Sequence, residues 1–355
     1  MRITAVEAVP YALPFREPYV TARGRLERRE MVLVRLQTDE GVEGLGEAVA
    51  MSLRGGTDAS SLAHEVTERT DALLAGTEPG RQEAPPTAGM SPAAAAAIEI
   101  AFLDLIAKTA EEPLWRTLGA ESVSPVTCNA TLVAGPPAAV AADASRWAER
   151  GFETFKLKVG VPGDVGQVEA VREAVGPKAR LRVDANGVWT PTDAVLRLTA
   201  MERHGIELAE QPASDLEDLA AVRNQTAIPI AADESVNTPE EARRASELGA
   251  CQLATVKLAK VGGMGQARAI AGALPVYLSS ALDGPVGIAA AAHLAQVLRT
   301  GSAWDALAHG LATQLLFADT IASLECELKE NLLHLPEGPG LGVAIDDAAL
   351  QRNRI

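Results

Sequence analysis

Aromatic residues are scarce in this chain, 3% of 355 positions, and cysteine is scarcer, with three residues (Cys128, Cys251, Cys326) set far apart and no CxxC spacing. Neither a disulfide framework nor a thiolate zinc site is suggested by so few thiols, and a reducing cytoplasm is the expected compartment. Basic residues are in deficit. With 32 Lys and Arg against 47 Asp and Glu the net charge is −15, which disfavours binding to a nucleic acid or an anionic membrane surface. Long apolar runs are missing too: the windows 93–107 and 284–298 are broken by Glu99 and Asp104, or by His293 and Gln296, and are too short to cross a bilayer. The opening MRITAVEAVP shows no basic-then-apolar signal segment. What is present is globular, 47% hydrophobic and 22% charged, at a length that suits one large domain with or without a small one.

Residues 1 to about 50 read as a short antiparallel meander, with a polar stretch VTARGRLERRE and a turn at Asp39-Glu40-Gly41. Helical spacing takes over from 58 to 118, with a Pro/Gly-containing interruption at 77–92 and a strong helix from Ser91 to Lys108. An α+β unit is therefore expected over 1–122. From Pro125 the rhythm changes: the short apolar runs PVTCNATLV, TFKLKVG, RLRVDANG, IELAEQP, PIAADES, QLATVKLAKVGG, PVYLSSALD and, less clearly, SAWDALAHG alternate with helical segments. Such repetition predicts a parallel α/β sheet over 123–310, and with no GxGxxG after the first run a closed barrel is favoured over an open doubly wound sheet. The tail, 311–355, is too short to fold alone and is expected to pack back on the first unit.

Charge placement carries the functional information, because the strands of a parallel barrel are buried on both faces and their C-terminal ends point into the mouth. Asp184 ends the third run, Glu210 the fourth, and Asp233 with Glu234 the fifth, at intervals of 26 and 23 residues, each about one βα unit. Three carboxylates converging in a dry cavity would repel one another unless a cation were present. With no His or Cys nearby, the set suits Mg²⁺, with Mn²⁺ as the alternative. Capping of the following helices is the competing role for these acids, and three equivalent positions argue against capping alone. Lys156 and Lys158, two apart on one strand, share a face about 6–7 Å apart. With Mg²⁺ beside them, one is expected to have a depressed pKa and to act as a base, with Lys257 approaching from the opposite side of the mouth. Lys260 is expected behind the site or at the surface, and the five histidines receive no chemistry. A metal facing two amines suits removal of a proton α to a carboxylate.

The motifs FKLKVG (155–160), VDANGVW (183–189), ELAEQP (207–212), AADES (231–235) and VKLAKVGG (256–263) resemble the enolase superfamily, in its muconate-lactonizing-enzyme-like subgroup. That resemblance implies a modified TIM barrel, (β/α)7β, capped by an α+β domain built from both chain ends. It implies Asp184, Glu210 and Asp233 as Mg²⁺ ligands, Lys158 as the base on one face and Lys257 as the amine on the other, beside Lys156. The mandelate-racemase-like branch would offer a histidine from the seventh strand, where Ser279 and Ser280 stand. Racemisation, cycloisomerisation and elimination of water all use the same two lysines, so the fold does not choose between them. The seventh-strand text YLSSALDGPVGIAAAAHLA is most similar to o-succinylbenzoate synthases, which implies a carbon–oxygen lyase of menaquinone synthesis. An N-acylamino acid racemase, a dipeptide epimerase and a muconate-type cycloisomerase are the enzymatic alternatives, and a catalytically silent acid-binding barrel the other. Dipeptide epimerases typically carry Asp-x-Asp on the last strand, where SAWDALAHG supplies Asp305. The substrate is then a small carboxylate. Arg23 or Arg25, in a polar lid over 21–30, is expected to meet its succinyl carboxylate, with Asn186, Ser279 and Ser280 nearby. A homo-oligomer is compatible with all of this.

Overall fold

The computed structural model describes residues 2–52, 55–74, 85–298 and 302–355. Three antiparallel strands open the chain, β1 (Ile3–Thr21), β2 (Gly24–Thr38) and β3 (Glu43–Val49), in that spatial order. The stretch expected to be a polar lid loop is the hairpin tip of this sheet, with Val20 paired to Arg25 and Thr21 to Gly24. Its charges sit two apart on an exposed edge and pair with one another, Arg25 with Glu27 at 2.9 Å and Arg28 with Glu30 at 2.9 Å. Period-2 alternation survives in a segment whose composition reads as loop.

The helix Pro92–Thr109 starts where Ser91 caps it and Pro92 fixes its first turn. Its alanine face lies on β3 at a separation that a side chain would prevent: a Cβ on Gly46 would meet the Ala97 carbonyl oxygen at 1.9 Å. The interruption expected at 77–92 lies partly outside the described residues.

The run PVTCNATLV, expected to be one strand, divides into β4 (Val126–Thr127) and β5 (Ala130–Leu132). β4 pairs antiparallel with Leu332–His334 from the C-terminal segment. From β5 onward the sheet is parallel and strictly sequential: β6 (Thr154–Lys158), β7 (Arg180–Asp184), β8 (Ile206–Glu210), β9 (Ile230–Ala232), β10 (Leu253–Val256) and β11 (Val276–Leu278). The expected eighth run is reduced to a 3-10 turn, Ala303–Ala306, followed by single bridges from His309 to Cys128 and from Gly310 to Ser279. Four backbone bonds close the ring there, His309 N–H to Thr127 O at 2.7 Å, Asn129 N–H to His309 O at 2.9 Å, Gly310 N–H to Leu278 O at 2.8 Å and Ser280 N–H to Gly310 O at 2.9 Å. The architecture is a modified TIM barrel under an antiparallel cap. The tail returns to the cap at Phe317, bridged to Phe15, and at Arg354, bridged to Tyr11.

Alternate residues of each strand face the barrel interior. Leu208, Ala231, Leu253, Tyr277 and Leu307 form one buried cluster there, separate from the main core. One step nearer the mouth, at the strands' C-terminal ends, the interior turns from apolar to charged.

Candidate active site

Lys158, Asp184, Glu210, Asp233 and Lys257 occupy that mouth layer, and all five are buried. Adjacent strands place them in register, with Lys158 opposite Asp184 and Asp184 opposite Glu210. Helix capping does not account for the acids, because the caps of the following helices are Thr190, Asp215 and Thr238. Each carboxylate instead faces an amine. Lys158 Nζ lies 2.6 Å from Asp184 Oδ2, and Lys156 Nζ lies 2.6 Å from Glu210 Oε2 and 3.0 Å from Asp184 Oδ2. Lys257 Nζ lies 2.5 Å from Asp233 Oδ2, and Lys260 Nζ lies 3.0 Å from Asp233 Oδ1. Lys260 is thus a buried residue behind the site, also donating to the backbone oxygens of Asp233, Val236 and Thr255.

Ionisation follows from this pairing. Burial opposes charge on Asp184, yet Lys156 and Lys158 outweigh it and hold the carboxyl far below its usual range. Glu210 goes the other way, raised first by burial and then by Asp184 beside it. Without a cation, burial lowers Lys158, but Asp184 overcomes it and the net shift is upward, as it is for Lys156. Two ammonium groups two residues apart repel less than the intervening carboxylates attract.

The donor set fits a hard divalent cation. It comprises three carboxylates on neighbouring strands, without imidazole or thiolate, and one oxygen, Glu210 Oε1, is buried with no hydrogen-bond partner. Among the described residues, no three His, Cys, Asp or Glu side chains are already drawn together as ligands, since the acids are turned to ammonium groups.

The cavity above this layer is lined by Lys156, Lys158, Lys257, Asn186, Ser279 and Ser280, with Arg23 and Arg29 from the cap. Arg23 donates to the Asn186 carbonyl at 2.7 and 3.0 Å, closing cap onto barrel. Arg25 is not brought to the cavity. Its side chain is 61% exposed and paired with Glu27. Asn186, at φ 52°, accepts from Lys158 at 3.2 Å and donates to Glu234 at 3.2 Å. Ser280 exchanges bonds with Asp283, so its hydroxyl largely serves the turn, while Ser279 lines the cavity.

Residues 3–119 match the family described as "Mandelate racemase / muconate lactonizing enzyme, N-terminal domain", and residues 139–349 match "Enolase C-terminal domain-like". The chain belongs to the enolase superfamily. Within the superfamily it is 34% identical, over 97% of its length and 100% of the other, to a hydrophobic dipeptide epimerase of Enterococcus faecalis. Its fold superposes on the crystal structure of the N-succinyl Arg/Lys racemase from Bacillus cereus with a TM-score of 0.92 at 29% identity, covering 100% and 98% of the two chains. On the E. faecalis dipeptide epimerase complexed with Mg and the dipeptide L-Leu-L-Tyr, the TM-score is 0.89 at 30% identity, covering 97% and 100%.

Three residues of this superfamily member escape sequence reading. Arg29 is buried and donates to the Ala281 carbonyl at 2.6 Å, pinning the loop that carries Ser279 and Ser280. Glu47 on β3 accepts from Gly284 N–H at 2.6 Å and Val286 N–H at 3.3 Å, at the start of the helix after that loop. A Cβ on Gly284 would lie 2.8 Å from Glu47 Oε2, so glycine there is what admits the carboxylate. Tyr277 donates to Glu210 Oε2 from inside the barrel. The readable signals were a lone Glu in a buried strand and a Tyr two before Ser279, in phase with the inward face.

Proposed function

We propose that this protein is a Mg²⁺-dependent racemase of N-acylated amino acids that carry a second anionic group, N-succinyl amino acids being the type. One observation carries the choice: Arg23, Arg29, Lys156, Lys158 and Lys257 line the cavity, and no carboxylate lines it among the described residues. A dipeptide brings an ammonium group that would meet no carboxylate in that lining, and Asp305 lies in the 3-10 turn away from the cavity. A dianionic substrate meets cations on each side. The likeness to the N-succinyl Arg/Lys racemase supports this reading over the o-succinylbenzoate synthase expected from the seventh strand.

Asp184, Glu210 and Asp233 are the residues that would hold Mg²⁺, or Mn²⁺ in its place. When bound, the ion supplies positive charge beside the substrate carboxylate and Asp184, which acidifies the neighbouring C–H and lessens the hold of Asp184 on the Lys158 proton. Lys158, steadied by Asn186, takes the α-proton from one face, and Lys257 delivers one to the other. Lys156, between Asp184 and Glu210, remains charged. Arg23 and Arg29, both from the capping sheet, help to draw the second anionic group into the mouth and to exclude water.

The lyase reading shares the dianionic substrate and the Ser279 wall, and it is the second reading we retain. Mg²⁺-dependent assays on N-succinyl amino acids, dipeptides and the cyclohexadiene precursor of o-succinylbenzoate separate the readings. Loss of optical rotation with N-succinyl amino acids, faster than with dipeptides, is the expected result. Aromatic absorbance from the precursor without racemisation would replace the proposal by the lyase, and inactivity on all three would refute both.

A further inference from the structure

We infer that Tyr277 is a positioning residue for the divalent cation: together with Lys156 it engages Glu210 Oε2, so that Glu210 offers Oε1 alone. The inference rests on the cation site proposed above. Tyr277 is fully buried, and its hydroxyl donates to Oε2, the same oxygen that Lys156 meets at 2.6 Å. The other oxygen, Oε1, is buried without a hydrogen-bond partner. A carboxylate with one oxygen doubly engaged and the other unengaged is a one-sided ligand, and buried polar atoms are seldom left orphaned without cause.

The phenol has little freedom to turn away. Leu208, Ala231, Leu253 and Leu307 pack around it, and the Arg182 guanidinium lies 5.2 Å from its ring centre. Arg182 is itself fixed, by Glu207 at 2.6 Å and by the Ala308 carbonyl at 2.6 Å. The phenol's hold on Glu210 is therefore set from the barrel's interior.

A carboxylate confined to one oxygen favours Mg²⁺ over Ca²⁺, because Mg²⁺ demands a compact octahedral shell whereas Ca²⁺ accepts two-oxygen carboxylates and higher coordination. Calorimetric titration of the full-length, metal-free protein with Mg²⁺ and with Ca²⁺ tests this, in the wild type and in Tyr277→Phe, which keeps the ring and removes the donor. The wild type is expected to bind Mg²⁺ at least about 10-fold more tightly than Ca²⁺. Tyr277→Phe is expected to weaken Mg²⁺ binding by about 10- to 100-fold and Ca²⁺ binding by less, narrowing the ratio. A purely structural role would weaken both ions alike or neither, and either result would overturn the inference. Wild-type Ca²⁺ binding as tight as that of Mg²⁺ would overturn it without any variant. A wild type that binds no Mg²⁺ would overturn the cation site itself, and the proposed function with it.

Discussion

The mouth layer of the barrel and the layer beneath it come from the same strands, two residues apart, and they are held by different forces. Lys158, Asp184, Glu210 and Asp233 above stand over Lys156, Arg182, Leu208 and Ala231 below. In the upper layer each charge is balanced by a neighbour on another strand, so the group is stable as a whole and vulnerable in its parts. Leu208 and Ala231 in the lower layer are held by packing, which distributes the loss when one residue changes. Arg182 and Lys156 are the exceptions, and both reach toward carboxylates, Glu207 and Glu210. The contrast teaches that position along a strand, not residue type, separates chemistry from stability here.

Substitutions above should thus abolish chemistry, while loss of a packed apolar residue below should cost stability. Lys158→Ala or Lys257→Ala should lower racemisation by about 10²- to 10⁴-fold with an unchanged circular-dichroism spectrum. Near-normal turnover in either would erase the distinction between layers. Asp233→Asn should weaken Mg²⁺ binding by more than about 100-fold in calorimetry, exceeding the loss typical of residues that merely support a ligand. Leu208→Ala, below, should cost about 2–5 kcal/mol in denaturant unfolding.

Glu47 extends the comparison to the cap, where a carboxylate is buried without an amine beside it. Burial first, and Asp283 second, push it up from 4.5 to about 8. Its folded pKa exceeds its unfolded one, so the stabilisation it gives is complete below about pH 4.5 and is lost as pH rises through about 8. Glu47→Gln should remove that slope, seen as a wild-type unfolding midpoint that falls relative to the variant between pH 5 and pH 9. Arg25→Ala, at the exposed hairpin tip, should change stability by less than about 0.5 kcal/mol and leave KM unaltered.

The barrel and its charged layer were legible in the sequence because each acid closes a short apolar run at one βα spacing, and a charge buried at a strand end needs a counter-charge or a cation facing it. The hairpin tip was not, since Arg25, Glu27, Arg28 and Glu30 have loop-like composition while their alternation is carried by pairing with β1. The first barrel run was read as one strand because the change of partner at Cys128 and Asn129, from Leu332–His334 to β6, leaves no mark in hydrophobicity. Arg29, Glu47 and Tyr277 act across 252, 237 and 67 residues of chain, distances over which no local pattern operates.

The central claim is that two amines approach the bound acid from opposite faces, and hydrogen exchange at the α-carbon in D₂O tests it most directly. With N-succinyl amino acids of each hand, the wild type should deuterate both enantiomers, and Lys158→Ala and Lys257→Ala should each retain exchange on one enantiomer, opposite in the two variants. Loss of exchange on both enantiomers in one variant, with none lost in the other, would contradict it.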